Sequence, residues 1–227
     1  MYVPSYRPGY IESAAFSSIP EIIMCLEDGT PDHEKSAARY LAANAVSMLK
    51  ELGKTVIVRV NDLHSEYIEA DLEVIVPAAP DRIRLPKVTG IDDIATIIAD
   101  VQLRTRIGNS IPKLEVMIEN LAVVSELDAI LGLFPEHVQA VTIGGEDLLK
   151  DFDQTSVSNR SFQLYSDLLA HVVEISNRHD KPVYDTVFMN LHSPSDFRAA
   201  CEKSRKRGFK GRSIIHPSQF PIVQEVY

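Results

Sequence analysis

Two carboxylates, Glu119 and Asp147, each follow a short apolar stretch, directly or nearly so. A pair of acids delivered this way to one rim suits a hard divalent cation. Mg²⁺ takes oxygen ligands and keeps several waters, so one or two carboxylates plus substrate oxygens complete its shell. Glu146 competes with Asp147 for the same duty. Arg59, in Val58-Arg59-Val60-Asn61, ends another apolar stretch and needs a partner. Glu27 or Asp28 would serve as a structural partner. The functional reading of Arg59 is a clamp on a substrate carboxylate or on a developing enolate oxygen. Glu27 and Asp28 would then hold metal-bound waters or orient Arg59. Lys87 after Leu85-Pro86, and Arg7 before Pro8, are either phosphate contacts or solvated charges. The seven histidines show no metal-ligand spacing, His216 before Pro217 reads equally as structural or catalytic, and no Ser/His/Asp or Cys/His arrangement stands out.

Eight apolar stretches position these residues, at 1–3, 22–26, 55–58, 82–85, 114–118, 140–143, 183–187 and 213–215. Nearly every one ends in a polar or charged residue: Arg7, Glu27-Asp28, Arg59 and Asn61, Lys87, Glu119, Glu146-Asp147 and His216, with Asp185 inside the seventh. A strand buried on both faces reads as a short apolar run rather than an alternation. Helical patterns lie between them. In 32–52, Ala38, Leu41, Ala45, Leu49 and Leu52 recur three or four residues apart, and Gly53 supplies a stop. Residues 91–108 and 159–178 repeat the theme. Ser193-Pro194 reads as a cap followed by proline in the first turn of a helix running to Arg207, closed by Gly208. The polar stretch 151–159 reads as a loop near the rim. Strand and helix in repeated alternation mean parallel pairing. Eight strands favour a closed (β/α)₈ TIM barrel over an open doubly wound sheet, whose usual glycine-rich loop after the first strand is missing here.

The chain has 227 residues, which suits one barrel domain spanning 1–227. Its 32 acidic residues outnumber 23 basic ones, for a formal charge of −9. That balance argues against nucleic acid as a partner. The one dense basic run, Lys203 to Arg207, reads as a solvated helix face. No stretch approaches the ~18 apolar residues of a spanning helix, so no membrane role is expected. The N-terminus does not read as a signal peptide. The two cysteines, Cys25 and Cys201, follow no zinc or CxxC spacing and fit a reduced, cytoplasmic setting.

These residues also fall into a family order. Val3-Pro4-Ser5-Tyr6-Arg7-Pro8 resembles VPGxRP, and Cys25-Leu26-Glu27-Asp28-Gly29-Thr30-Pro31 resembles DLEDAVP, with Lys35 and Arg39 at the K…AR positions. Val58-Arg59-Val60-Asn61 resembles VRIN, Leu85-Pro86-Lys87-Val88 matches LPKV, and Met117-Ile118-Glu119-Asn120 resembles the IET segment. Gly144-Gly145-Glu146-Asp147-Leu148 resembles GxxDL. Gly208 to Arg212 and Ile215 to Gln219 resemble GFxGK and IHPSQ. Any one of these is weak, but seven in order are specific. The chain resembles the citrate lyase β-subunit-like branch of the HpcH/HpaI aldolase superfamily.

The resemblance implies a TIM barrel with Mg²⁺ held by Glu119 and Asp147. It implies carbon–carbon bond cleavage or formation on 2-hydroxy acids, usually as acyl-CoA thioesters, in a homo-oligomer, a trimer or a multiple of it. Arg59 would stabilise the enolate or thioester oxygen, and Arg7 and Lys87 would lie near the nucleotide part of coenzyme A. There are departures. Members run on for several tens of residues past IHPSQ, into a lid carrying an acid–base aspartate, whereas Tyr227 stands eight residues after Gln219. Tyr165-Ser166-Asp167 stands where the family has YAR, and Thr186 follows Asp185 where glycine is usual. A missing lid leaves a wetter pocket, and water exclusion protects reactive enolates. The expected activity is a Mg²⁺-dependent carbon–carbon lyase on a 2-hydroxy acid or its CoA thioester. The alternatives are a thioesterase or condensing synthase on the same scaffold, and a non-catalytic or partner-dependent subunit.

Overall fold

The computed structural model describes residues 1–155 and 161–227. The strands β1 (Tyr2–Pro4), β2 (Glu21–Cys25), β3 (Thr55–Arg59), β4 (Arg82–Leu85), β5 (Lys113–Ile118), β6 (Val138–Ile143), β7 (Val183–Asp185) and β8 (Gly211–Arg212) pair in parallel and in chain order. The Tyr2 N–H donates to the Ile214 carbonyl at 2.8 Å, which joins the first strand to the segment after the last. The sheet thereby curls into the expected (β/α)₈ barrel. Between the strands lie α1 (Pro8–Ala15), α2 (Lys35–Glu51), α3 (Ile68–Ala78), α4 (Ile91–Arg104), α5 (Leu121–Leu133), α6 (Gly145–Thr155), α7 (Ser161–Arg178) and α8 (Pro194–Lys206), with α9 (Phe220–Val226) after β8.

Alternation along each strand divides two interiors. On β2, Ile22 and Met24 enter the apolar layer shared with the helices, while Ile23 and Cys25 stand on the barrel side. The helices cover the outer layer with most of the stripes read from their spacing: Ala38, Ala45 and Leu49 of α2, and Leu169, Val172 and Ile175 of α7, are all buried, whereas Leu52, expected to close the α2 stripe, lies past the helix end and is exposed. Gly53 and Gly208 end their helices with φ of 75° and 99°, a region a side chain rarely adopts.

Several expectations need correction. Residues 32–34 form a 3₁₀ turn before α2, and α4 ends at Arg104 rather than Gly108. Residues 151–155, expected in a loop, continue α6, because Phe152 turns inward and packs edge-on to Tyr165 at 5.6 Å. The remainder of that stretch, and the start of the helix expected from 159, lie outside the described residues. The Ser193 side chain does not cap α8; its hydroxyl bonds to Asp196 instead. The last strand lies two residues earlier than its apolar run.

The largest correction concerns the barrel interior, which is not apolar throughout. Arg84, 2% exposed, donates from Nε to Glu115 Oε2 at 2.7 Å, and Glu115 is fully buried. Arg82 Nη1 reaches the other Glu115 oxygen at 2.7 Å, and its Nη2 reaches Glu21 at 2.6 Å. Charges this deep hold only as partners. Glu115→Leu should therefore lower the unfolding free energy by about 3–5 kcal/mol, while Arg84→Met with Glu115→Leu loses less. Urea unfolding of both variants checks this; a double variant less stable than the single would refute it.

Candidate active site

The parallel register sets one row of side chains abreast: Pro4 pairs with Cys25, Cys25 with Arg59, Arg59 with Arg84, and Arg84 with Glu115. Above this row opens a cavity of about 330 Å³ whose walls include Tyr2, Cys25, Arg59, Met117, Glu119 and Asp147. A barrel keeps its reactive groups at this C-terminal rim.

Glu119 follows β5 directly and is 5% exposed. Its Oε2 accepts the Lys87 backbone N–H at 2.6 Å. Lys87 delivers that N–H from a left-handed backbone, φ 51°, an uncommon conformation for a side-chain-bearing residue. On the opposite side Gly144 leaves the room Glu119 occupies. A Cβ there would come within 2.2 Å of Glu119 Cγ and 2.5 Å of Oε1. Burial raises the Glu119 carboxyl from its ordinary 4.5 to about 7; the Lys87 N–H and Arg59 oppose the rise, and the charges of Glu27 and Asp147 add to it.

Asp147 lies in the first turn of α6 and is more open, its Oδ1 accepting from Lys150 Nζ at 2.8 Å. Glu146 also reaches the cavity wall, and the charge of Asp147 acts on Glu119. The α6 start is pinned by Thr186, whose Oγ1 accepts the Gly145 N–H at 3.1 Å. Two carboxylates, one buried and one open to solvent, match what a Mg²⁺ ion needs from protein, since its other ligands are water and substrate. Among the described residues no group of three or more His, Cys, Asp or Glu forms a fuller ligand set.

Arg59 ends β3. Its Nη1 lies 3.0 Å from Glu27 Oε2 and 3.6 Å from Asp28 Oδ2, and its Nη2 donates to Cys25 Sγ at 3.1 Å. Burial works against its charge, but Cys25, Tyr2 and Glu27 together raise its pKa, so the guanidinium stays charged. The structural partner anticipated for Arg59 is therefore present, and the guanidinium lines the cavity as well. Glu27 is buried and shared: Lys87 Nζ lies 3.3 Å from its Oε1. Neither contact has hydrogen-bond alignment, so both Glu27 oxygens lack a hydrogen bond. Desolvation raises the Glu27 carboxyl, and Arg59 pulls against that.

Lys87 faces a second hollow, of about 420 Å³, beside the first; Glu27 and Asp28 border it too. Arg7 is not brought to either hollow: it is exposed at the start of α1, with its guanidinium 4.7 Å from the Tyr6 ring. Asp185 turns away from the cavity to pair with Arg212. His216 caps the turn after β8, its Nδ1 accepting the Ser218 N–H at 3.2 Å, and it does not line the cavity.

Tyr2, Ser213, Met189 and Thr186 were not anticipated on the wall, and neither was the support under it. Lys35 Nζ donates to Asn61 Oδ1 and to the Leu26 and Glu27 carbonyls. Buried Asp71 takes the Asn61 amide and backbone N–H groups and Arg39 Nε. Together these hold the β2 and β3 ends at fixed separation. The Lys35 and Arg39 positions were visible in the family pattern; their partners were not.

A closed barrel with an acid pair and a buried arginine around its mouth has the layout of a barrel enzyme's active site. The chain belongs to the HpcH/HpaI aldolase/citrate lyase family, whose model matches residues 1–217. It is similar to the citrate lyase subunit beta of Leuconostoc mesenteroides subsp. cremoris, at 25% identity over 232 residues, covering 100% of this chain and 75% of that protein. It is also similar to a (3S)-malyl-CoA thioesterase of Cereibacter sphaeroides, at 26% identity over 230 residues, with 100% and 75% covered. Its fold is shared by the CitE protein of Mycobacterium tuberculosis, solved with magnesium, acetoacetate and coenzyme A. The TM-score is 0.77 at 19% identity, covering 100% of this chain and 79% of that one.

In metal-free protein the raised Glu119 carboxyl links stability to pH. Below 4.5 both folded and unfolded chains hold the proton; between 4.5 and about 7 only the folded chain does, so stability falls as pH rises through this window. Replacing Glu119 with Gln should flatten that fall. Urea unfolding in chelator at pH 5 and pH 7.5 checks it; an equally steep fall in the variant would contradict the assignment.

Proposed function

We propose that the chain is a Mg²⁺-dependent carbon–carbon lyase acting on a 2-hydroxy acid or its coenzyme A thioester, with Glu119 and Asp147 as the protein ligands of the metal. The observation that carries the reading is Glu119 itself. It is an acid buried against a glycine that leaves it room, facing a second acid across a cavity that also holds Arg59. Family membership supports it, as do the lyase and thioesterase activities named for its relatives.

When bound, Mg²⁺ would polarise the oxygens of the 2-hydroxy acid fragment and hold that fragment in place. Cleavage breaks the bond between the hydroxyl-bearing carbon and the acyl α-carbon. The hydroxyl proton leaves, a carbonyl forms, and the electron pair moves to the acyl group as an enolate that later takes a proton. Arg59 presents N–H donors to the oxygen on which that charge develops. Glu27 is a positioning residue: it holds Arg59 by charge. Lys87 serves twice, orienting Glu119 through its backbone and Glu27 through its side chain. Its ammonium also borders the hollow best placed for a phosphate-bearing handle, whereas Arg7 would need a different approach of the nucleotide.

We also take the protein to act in the cytoplasm as a homo-oligomer, a trimer or a multiple of it. No helix among the described residues is long and apolar enough to cross a membrane. Tyr10 and Phe16, 60% and 76% exposed, leave apolar surface around α1 for a neighbouring subunit.

A panel of 2-hydroxyacyl-CoA thioesters and free 2-hydroxy acids, with and without Mg²⁺, should show metal-dependent release of a 2-oxo acid. Glu119→Gln and Asp147→Asn should each abolish both turnover and the rise in melting temperature with Mg²⁺. Acyl release without a 2-oxo acid would replace the lyase with a thioesterase. Activity only after a second protein is added would make this a partner-dependent subunit. Arg59→Lys should cost kcat about 10²-fold or more, with little loss of stability, because an ammonium cannot reproduce the fork of donors. Unaltered kinetics would remove Arg59 from the mechanism.

A further inference from the structure

The floor of the cavity carries two hydroxyls that no step above uses. Tyr2 and Ser213 both line it. Beneath them Arg84 Nη1 donates to Tyr2 Oη at 2.8 Å and to Ser213 Oγ at 3.2 Å. Arginine has donors only, whereas a hydroxyl has one proton and two lone pairs. Each hydroxyl oxygen therefore spends a lone pair on Arg84 and must turn its own proton elsewhere. Among the described residues neither proton finds an acceptor, and no hydrogen bond joins the two hydroxyls. Because both accept from one nitrogen, they lie close together, as a two-oxygen acceptor requires.

Arg84 is not free to turn away. It is 2% exposed and its Nε is held by Glu115, which Arg82 holds in turn. The guanidinium groups of Arg84 and Arg59 lie 5.3 Å and 5.0 Å from the Tyr2 ring centre, which fixes the ring as well as its hydroxyl. Both arginines have carboxylate partners of their own, so the floor offers a ligand directed O–H donors rather than a bare positive charge.

We propose that the Tyr2 and Ser213 hydroxyls, held by Arg84, form a second oxygen-binding subsite on the cavity floor, and that it takes a carboxylate at the end of the ligand remote from Glu119 and Asp147. A carboxylate supplies two acceptor oxygens for two donors. The site then selects 2-hydroxy acids that carry a second carboxylate over those ending in an alkyl group. Arg84 is a positioning residue and acts through the two hydroxyls. The inference rests on the function proposed above only in taking the ligand to be a 2-hydroxy acid.

The test is calorimetric binding, with Mg²⁺, of malate and 2-hydroxyglutarate against lactate and 2-hydroxybutyrate. These pairs share the 2-hydroxy acid head and differ in the far end. Native protein should favour the dicarboxylates at least tenfold. Tyr2→Phe and Ser213→Ala should each cut that ratio severalfold, and together bring it near one, with lactate affinity unchanged. Arg84→Met with Glu115→Leu, which keeps both hydroxyls, should also lower the ratio. A ratio unmoved in the Tyr2→Phe, Ser213→Ala double variant overturns the subsite, as does native protein that binds lactate and malate alike. Preferential malate binding without turnover of any acid or thioester would overturn the lyase and leave the subsite standing. A protein that binds none of the four acids overturns both.

Discussion

A charge enclosed by a barrel has no water to lean on, so every ionised group inside this one must be matched by another. That constraint organises the interior from the Glu21–Arg82–Glu115–Arg84 chain below to the Glu27–Arg59 pair at the rim. The parallel register makes the matching possible, because it places Cys25, Arg59, Arg84 and Glu115 side by side on successive strands. Tyr2 links the two levels, with a guanidinium from each near its ring. Replacing such a pair by well-packed apolar residues is often neutral for stability. Its presence under a cavity is therefore better explained by what it orients than by what it stabilises.

The Glu119 side of the mouth follows a different logic. Glu119 is left short of compensation, and its carboxyl is pushed towards neutrality by burial and by two neighbouring acids. Backbone shape achieves this more than side-chain chemistry does. Lys87 takes a left-handed conformation to aim an N–H, and Gly144 gives up a side chain so that Glu119 can lie where it does. One wall of the cavity thus carries its cation, Arg59, while another carries the acids Glu119 and Asp147. An acid fragment drawn to the second side would leave its acyl end over Arg59 and the Tyr2–Ser213 floor.

Much of this was legible beforehand, and the failures share a cause. The strand ends were readable because apolar runs stop where the barrel meets solvent, and the residues that follow, Glu119 and Arg59 among them, are placed by that stop alone. The α6 extension is hidden in the sequence because the mostly polar stretch 151–155 holds a single inward contact, Phe152. Arg82, Arg84 and Glu115 sit inside otherwise apolar stretches, and a local pattern cannot show that two strands bring opposite charges together. Arg7, one residue from a turn, is carried outward by the direction of α1, which its neighbours do not reveal.

What the sequence by itself determined was the order of strands and helices, the closure they favour, and the acids and arginine that reach the rim. Those depend on periodicity and on where apolar runs end, both local properties of the chain. Only the tertiary structure decided which of them meet: that Glu27 holds Arg59, that Glu119 and Asp147 share one cavity wall, and that Arg84 bonds to both Tyr2 and Ser213. Ser213 and Arg84 are 129 positions apart. Bringing them to a hydrogen bond depends on the stagger of strands around a closed barrel, which no local stretch of sequence records.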